Sequence, residues 1–348
     1  MSVLPSHDIA LVVDGMAYLG WTSVEVGRAI DSASGTFALE LASKERTDAQ
    51  EWDIADGVAC EIRLGGAVLL TGYVDSVDRF IDPEARGIRL RGRDKAADLV
   101  DCSAVHKPGS WSGRRLEDIA RDLLAPFSIP LEVAGDTSPP FRKFALQQGE
   151  TVFAAIERMA RYRGLVAWSP GDGRLVIGNP DSGLRSGRIS EGENVIAAEA
   201  SRDMSERFSD YLVKGQASGD DRRSGKAVAQ AKGSATDPEV TRYRPLLVIG
   251  EEQADVASLS RRAAWEAAVR SGRSKPVSVT LPGWFDDAGK PWQPGTRAAC
   301  RLQSLRVDAD LLVQRVTMSR DAERGTLTEL ELVPPEAWSQ LREKEPAQ

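Results

Sequence analysis

Histidine is nearly missing from this chain of 348 residues: there are two, His7 and His106. Neither stands in an H-E-x-x-H pattern or beside the partners of a nucleophilic triad, so both read as solvated residues. Cysteine is scarce and badly spaced for chemistry. Cys60, Cys102 and Cys300 are an odd number with no C-x-x-C, which excludes a disulfide framework and a zinc knuckle. They read as buried thiols in a reducing compartment. Long apolar runs are missing too; none reaches the ~18 residues of a membrane span. Residues 1–8 show no basic stretch followed by an apolar one, so no secretory signal is read and synthesis in the cytoplasm is expected. Positive charge is not in excess: the formal net charge is −7. That argues against avid binding of nucleic-acid phosphates, which depends on Lys and Arg. The pairs Arg114-Arg115, Arg222-Arg223 and Arg261-Arg262 are too short for a basic stripe and read as solvated surface.

What the chain does have is a globular composition, 41% hydrophobic and 28% charged, and length enough for two to four domains. The most informative stretch is residues 72–102. Gly72-Tyr73-Val74-Asp75-Ser76-Val77-Asp78-Arg79-Phe80 and Gly87-Ile88-Arg89-Leu90-Arg91-Gly92-Arg93-Asp94-Lys95 flank a turn at Asp82-Pro83-Glu84, and a short helical turn follows through Asp98 to Cys102. Strand signals precede it. Ile9-Ala10-Leu11-Val12-Val13 closes on Asp14-Gly15; Trp21, Val24 and Val26 are strand formers; Phe37, Leu39 and Leu41 alternate, as does the run 58–64. Short strands with turns between them predict a barrel or sandwich.

From Ser112 the period changes. Leu116, Ile119, Ala120 and Leu123 predict a helix over 115–124 closed by Pro126, and Val152, Ile156, Met159 and Ala160 predict another over 151–164, stopped by Gly164. Two strands follow, flanking Gly171-Asp172-Gly173. That triplet lacks the context of a phosphate loop and reads as a hairpin turn. Strands return at 194–200 and 208–215. Residues 218–237, poor in large apolar side chains, read as an exposed arm that orders against a partner. Leu246-Leu247-Val248-Ile249 reads as a strand, and 253–271 as a helix with a narrow Ala-rich stripe, stopped by Gly272. The rest is β again, with a loose similarity of plan between the two β-rich ends.

Chemistry is hard to find. The acidic pairs are Asp220-Asp221, Glu251-Glu252 and Asp286-Asp287. Only Asp286-Asp287 has the aromatic flanks, Trp284, Phe285 and Trp292, that a sugar site needs. The competing reading is a Trp-rich hairpin packed on a core, with the acids in its turn. No G-x-S-x-G elbow or calcium loop occurs. No catalytic, cofactor-binding or metal-binding residue is assigned, and no cofactor is expected. Eight Trp against five Tyr suits cores and interfaces alike.

Gly20-Trp21-Thr22-Ser23-Val24 followed by Gly35-Thr36-Phe37 resembles the opening of the Mu-like contractile phage baseplate hub and tail protein family. Gly72-Tyr73-Val74-Asp75-Ser76 and the run from Gly92 through Arg93, Asp94, Lys95 and Asp98 to Cys102 resemble its central signature. Leu116-Glu117-Asp118-Ile119-Ala120-Arg121-Asp122-Leu123, Gly149-Glu150-Thr151-Val152, Arg207-Phe208-Ser209-Asp210-Tyr211 with Val213-Lys214-Gly215, and Asp237-Pro238-Glu239-Val240-Thr241-Arg242-Tyr243-Arg244-Pro245 continue in the same order. Over residues 275–348 only the general strand plan matches.

The resemblance implies a mainly β fold with α+β insertions, similar to myophage central hub subunits and to the N-terminal part of type VI secretion spike proteins. Residues 1–104 would form a first β-barrel-like tube domain, 105–184 a mixed α+β module, 185–215 and 274–338 a second tube domain, 216–273 an arm and helix insertion, and 339–348 a mobile tail. The implied role is structural and not enzymatic: a homotrimeric ring in the virion tail baseplate, made in the bacterial host cytoplasm. It would contact the tail-tube protein or a tube initiator on one face and the trimeric spike on the other, beside other baseplate proteins. DNA would leave through its channel without specific binding. The alternatives are a tail-tip cell-wall polysaccharide hydrolase with Asp286 or Asp287 as acid, and a glycan-binding tail module at residues 112–180.

Overall fold

The computed structural model describes residues 8–43, 53–83, 85–216, 232–253, 256–339 and 341. His7, Trp52, Asp220-Asp221, Arg222-Arg223 and the charged tail from residue 342 lie outside them.

The first β unit comprises β1 (Ile9–Val13), β2 (Met16–Tyr18), β3 (Ser23–Ala29), β4 (Thr36–Ser43), β5 (Ala59–Leu64), β6 (Ala67–Ile81) and β7 (Arg86–Asp94). A short helix, α1 (Ala97–Asp101), leads into a mixed module of β8 (Ser110–Arg114), α2 (Leu116–Leu124), β9 (Leu131–Ala134), β10 (Phe141–Ala145), α3 (Val152–Arg163), β11 (Val166–Trp168) and β12 (Leu175–Gly178). Next come β13 (Arg185–Ser190) and β14 (Ala197–Ala200). An insertion follows, with β15 (Asp210–Gln216), β16 (Lys232–Thr236), β17 (Pro245–Gln253) and α4 (Val256–Arg273). Strands β18 (Val277–Pro282), β19 (Arg297–Leu302), β20 (Val307–Asp321) and β21 (Gly325–Val333) complete the second β unit.

Local sequence explains these elements. In β18, Val277, Val279 and Leu281 are buried while Ser278 and Thr280 face away, the period-2 pattern of a half-buried strand. In α3 the Thr151 hydroxyl accepts the Ala154 amide at 3.2 Å, and Gly164 closes the helix in the left-handed region at φ 64°.

The two β units are copies of one plan. In the first, a row of cross-strand partners runs Val24, Leu39, Leu90, Val77 across β3, β4, β7 and β6. In the second, Ala198, Val279, Leu330 and Val316 form the same row across β14, β18, β21 and β20. The bulge repeats as well. Val74 pairs with Gly92 and Ser76 with Arg91, leaving Asp75 extra; Val313 pairs with Leu332 and Arg315 with Glu331, leaving Gln314 extra. The copies differ at the periphery, where β1 runs antiparallel to β5 but β13 runs parallel to β19. They also differ between the first two strands of the row: residues 30–35 join β3 to β4, whereas the insertion separates β14 from β18.

The copies are fused into one 13-stranded sheet by the pairing of β3 with β20. Their buried side chains form one cluster, from Ile9 and Phe37 through Trp284, Trp292 and Met318 to Leu332. The mixed module has its own core around Leu116, Ile156 and Met159, and the insertion a small one around Tyr211, Val213, Leu259 and Ala263.

Three expectations need correction. Residues 210–215, assigned to the second tube domain, form β15, which pairs with β16 and β17 of the insertion. The alternation of Tyr211 and Val213 marks a strand but not its partner. The exposed arm read at 218–237 contains β16, a strand of small residues beside α4; residues 217–231 are not among those described. The helix read at 253–271 is α4, starting at Val256, and Gln253 ends β17.

Met318 is fully buried where β3, β20 and β21 lie side by side. Met318→Ala is expected to destabilise the protein by about 2–5 kcal/mol. Because both β units share this core, a urea titration should show their fluorescence and circular dichroism transitions falling together.

Candidate functional site: the charged junctions and the polar sheet face

The end of β7 is where the first β unit meets the mixed module. Asp94 is 1% exposed. One of its carboxylate oxygens accepts the Gly35 amide at 2.8 Å and the other the Ala96 amide at 2.9 Å. It therefore anchors the β3–β4 turn and the start of α1 together. Burial pushes the Asp94 carboxyl up to about 6, against the pull of the Gly35 amide, the Ser169 hydroxyl and the Ala96 amide, and the Asp172 charge adds to the rise. Arg93 points the other way. It donates to Asp75, the bulge residue, at 2.6 Å and to Asp101 of α1 at 2.9 Å; these hydrogen bonds raise its already high pKa. Glycine is required at 92, just before them, because a side chain there would meet the Tyr73 carbonyl oxygen at 2.1 Å.

The turn Gly171-Asp172-Gly173 does more than close a hairpin. The Thr71 amide donates to the Gly171 carbonyl at 2.7 Å. At Gly171, φ is +98° and a Cβ would stand 2.5 Å from the Leu69 carbonyl oxygen, so the turn is seated on β6. Beside it lies Arg28 of β3, buried, donating to the Trp292 carbonyl of the second β unit at 2.7 Å. Burial lowers its pKa to about 10, partly offset by Asp172. Arg28 thus touches all three units. Of the residues singled out in the sequence, the structure joins Arg93 to Asp75 and Asp101, buries Asp94, and engages Lys95 through its backbone, whose amide donates to Thr71 at 3.0 Å. Burial raises the pKa of Asp98, with Arg93 opposing. Arg28 was missed, since a lone Arg in an alternating strand reads as an outward residue.

A second charged junction holds the insertion. Arg207 and Asp237, 2% and 5% exposed in their side chains, form a two-pronged ion pair, and Glu239 adds a third bond at 2.9 Å. Two separate sequence blocks of the signature, 207–215 and 237–245, meet here.

The sheet face turned away from the core is polar. Glu25, Glu40, Glu199, Glu329 and Glu331 lie on it with Arg89, Arg91 and Arg315, interleaved with Ser278, Thr280 and Thr317. Arg89 pairs with Glu40, Arg315 with Asp31 and Glu331, and Arg324 with Glu329, which leaves Glu25 and Glu199 against Arg91.

The aromatic flanks of Asp286-Asp287 do not make a sugar platform. Trp284 and Trp292 are 1% and 2% exposed, and the Trp284 indole donates to the Ser319 carbonyl. Asp286 accepts the Ala288 and Lys290 amides of its own turn, and Asp287 accepts the Arg188 amide. His106 lies against Trp111, ring centroids 4.7 Å apart. Among the described residues no group of three or more His, Cys, Asp or Glu is placed to hold a metal ion, and no helix is long and apolar enough to cross a membrane.

The chain belongs to the Mu-type baseplate hub family. Residues 8–94 match the model of the Mu phage baseplate assembly protein GpP-like N-terminal domain, and 96–179 that of the baseplate hub protein gp44-like second domain. Residues 207–264 match the third domain of tail protein NMB1110-like proteins, and 256–341 the fourth domain of GpP. The chain is 34% identical over 342 residues to baseplate hub protein gp44 of Escherichia phage Mu, covering 96% of this chain and 89% of that protein. The solved 43 kDa tail protein of prophage MuSo2 from Shewanella oneidensis is 31% identical with a TM-score of 0.85, over 96% of this chain and 100% of that one. The tail protein from Neisseria meningitidis MC58 shares the fold at 24% identity and a TM-score of 0.79, over 96% and 98%.

The Asp94 pKa sets a pH dependence. Its folded value of about 6 exceeds the ordinary 3.8, so the native state holds this proton more tightly. Stability from this group is complete below about pH 4 and lost as pH rises through about 6. Asp94→Asn turns an amide NH2 toward the Gly35 or Ala96 N–H, an expected cost of about 1–3 kcal/mol. That cost should be larger at pH 4.5 than at pH 7.5 in denaturant titrations. A pH-independent difference between the two proteins would contradict the assignment.

Proposed function

We propose that this chain is the hub subunit of a contractile tail, forming a homotrimeric ring that adapts the hexameric tail tube to the trimeric spike and surrounds the DNA exit channel. The observation that carries the reading is the internal repeat. Two equivalent β units per chain give three copies six equivalent units, the match that a sixfold tube needs, while the mixed module and insertion occur once per chain and suit a threefold partner. In this reading residues 1–104 and 185–209 with 274–338 are the two tube domains, 105–184 the module, and 210–273 the insertion.

The polar sheet face is the proposed channel wall. Its acidic majority and small hydroxyl side chains would repel phosphates and let DNA slide, since retention needs unpaired Lys and Arg. The role is structural. Buried Trp284 and Trp292 offer no stacking surface, and one Asp286 oxygen is occupied by its own turn, so the hydrolase reading at Asp286 or Asp287 gains no support.

The purified chain is expected to sediment at three times its 37.7 kDa mass; a stable monomer would overturn the ring. Replacing Glu199, Glu329 and Glu331 together by lysine is expected to leave tails assembled, by electron microscopy, while DNA release measured by dye accessibility slows at least several-fold. Unchanged release in assembled particles would remove this face from the channel.

A further inference from the structure

Among the described residues, the outer edge of β14 and the 76–81 edge of β6 carry no strand partner, and each has a paired counterpart within the same chain. The outer edge of β3 is covered by β20, with Met318 opposite Val26, Ser319 opposite Glu25 and Arg320 opposite Val24. The counterpart of β3 is β14, whose one strand partner among the described residues is β18. The counterpart of β20 is β6. Strand β5 covers the edge of β6 opposite β7 as far as Tyr73. Beyond it, over residues 76–81, the edge carries no strand among the described residues. Both edges are flanked by exposed apolar side chains, Ile81 at 74% and Ile196 at 58%. Open strand edges are templates for pairing.

We infer that β14 of one copy adds to the 76–81 edge of β6 in the next copy, in the register that β3 takes on β20. The shared bulge fixes that register, because Asp75 corresponds to Gln314 and the core rows correspond residue by residue. Arg79 then stands opposite Ala200, Phe80 opposite Glu199 and Ile81 opposite Ala198. The pairing is chemically suited. Ala198 and Ala200 are small enough to let Ile81 and the Arg79 stem cover them. Glu199 comes beside Arg89, whose guanidinium lies 4.1 Å over the Phe80 ring. Main-chain hydrogen bonds supply affinity, as in other strand additions.

This inference rests on the ring reading and names its contact. The step from one β unit to the next is then the same within a chain and between chains. A head-to-tail contact of that kind closes into a ring when its rotation divides the circle, and six equal steps are completed by three copies. Both of these edges are then covered.

The test is an oxidative cross-link in the full chain. Cys102 is exposed and is replaced by Ser, while Cys60 and Cys300 are buried, with thiols pushed up to about 12 by burial. Opposite residues of antiparallel strands lie about 4.5–5.5 Å apart at Cα, within disulfide reach. Ile81→Cys with Ala198→Cys is expected to give covalent dimers and trimers on a non-reducing gel, taking up more than half of the protein. Ile81→Cys with Glu199→Cys places the second thiol on the opposite face and should cross-link no more than either single variant. A chain that is trimeric by mass yet gives no cross-link with the first pair, or equal cross-linking with the displaced pair, overturns this contact while the ring stands. A monomeric wild-type chain overturns the ring and the contact with it.

Discussion

Strand β20 is the constraint on which the rest depends. Its Val307–Leu312 portion pairs with β19 and its Arg315–Arg320 portion with β3, in series along one edge, while β21 takes the other edge. The handover falls at the bulge. There the Ile30 amide donates to the Gln314 carbonyl, and the Val313 amide to Thr296. A strand shared in this way cannot slip by one residue without turning Val316 and Met318 out of the core and Arg315 and Thr317 into it. That register makes two β units into one body with one hydrophobic cluster.

Buried charge follows from the same arrangement. Where modules dock on a sheet, the backbone groups at strand ends lose their water and need partners. Asp94 supplies two acceptors for amides from two elements, and Arg28 supplies a donor to the Trp292 carbonyl across the unit boundary. Arg207 with Asp237 does the same service at the root of the insertion. Asp94, Arg28 and Arg207 lie at seams and face backbone amides, a carbonyl and ion-pair partners respectively. The two buried thiols fit the pattern: burial keeps Cys60 and Cys300 protonated, and a thiol held so is a packing group and a poor nucleophile.

Much of the fold was legible because its strands are half-buried. Phe37-Leu39 and Val277-Val279-Leu281 announce themselves by alternation, and Thr151 with Gly164 brackets α3 in the sequence as it does in space. What stayed hidden is pairing between segments far apart. The β3–β20 seam joins residues nearly three hundred positions apart, and no local signal marks a partner. Strand β13, with the sequence RSGRIS, lacks the apolar residues that advertise a strand; its place is set by parallel pairing with β19. The junction was half legible. Arg93, Asp94, Lys95 and Asp98 stood out as a charged cluster at the end of β7, yet Arg28 and the seating of Gly171 depend on tertiary approach. The Trp-flanked acids stayed open to two readings because aromatic rings signal cores and binding platforms alike, and burial of Trp284 and Trp292 separates the two in favour of the core-packed hairpin.

The bulge shows how a duplicated unit acquires separate duties without changing its frame. An extra residue bends the strand and frees one side chain and one set of backbone groups from the ladder. In the first unit that residue is Asp75, which binds Arg93 and, through it, Asp101 of the helix leading to the mixed module. In the second it is Gln314. Its side chain donates to Asp31 of the first unit and accepts from the Trp338 indole, while its carbonyl takes the Ile30 amide. The same irregularity is therefore used each time to fasten whatever docks beside the sheet: a module in one copy, the other copy in the second. The bend falls at the same place in both units, so each meets its docking partner from the same point of the sheet. A chain built this way uses a single local distortion twice, once for each docking partner.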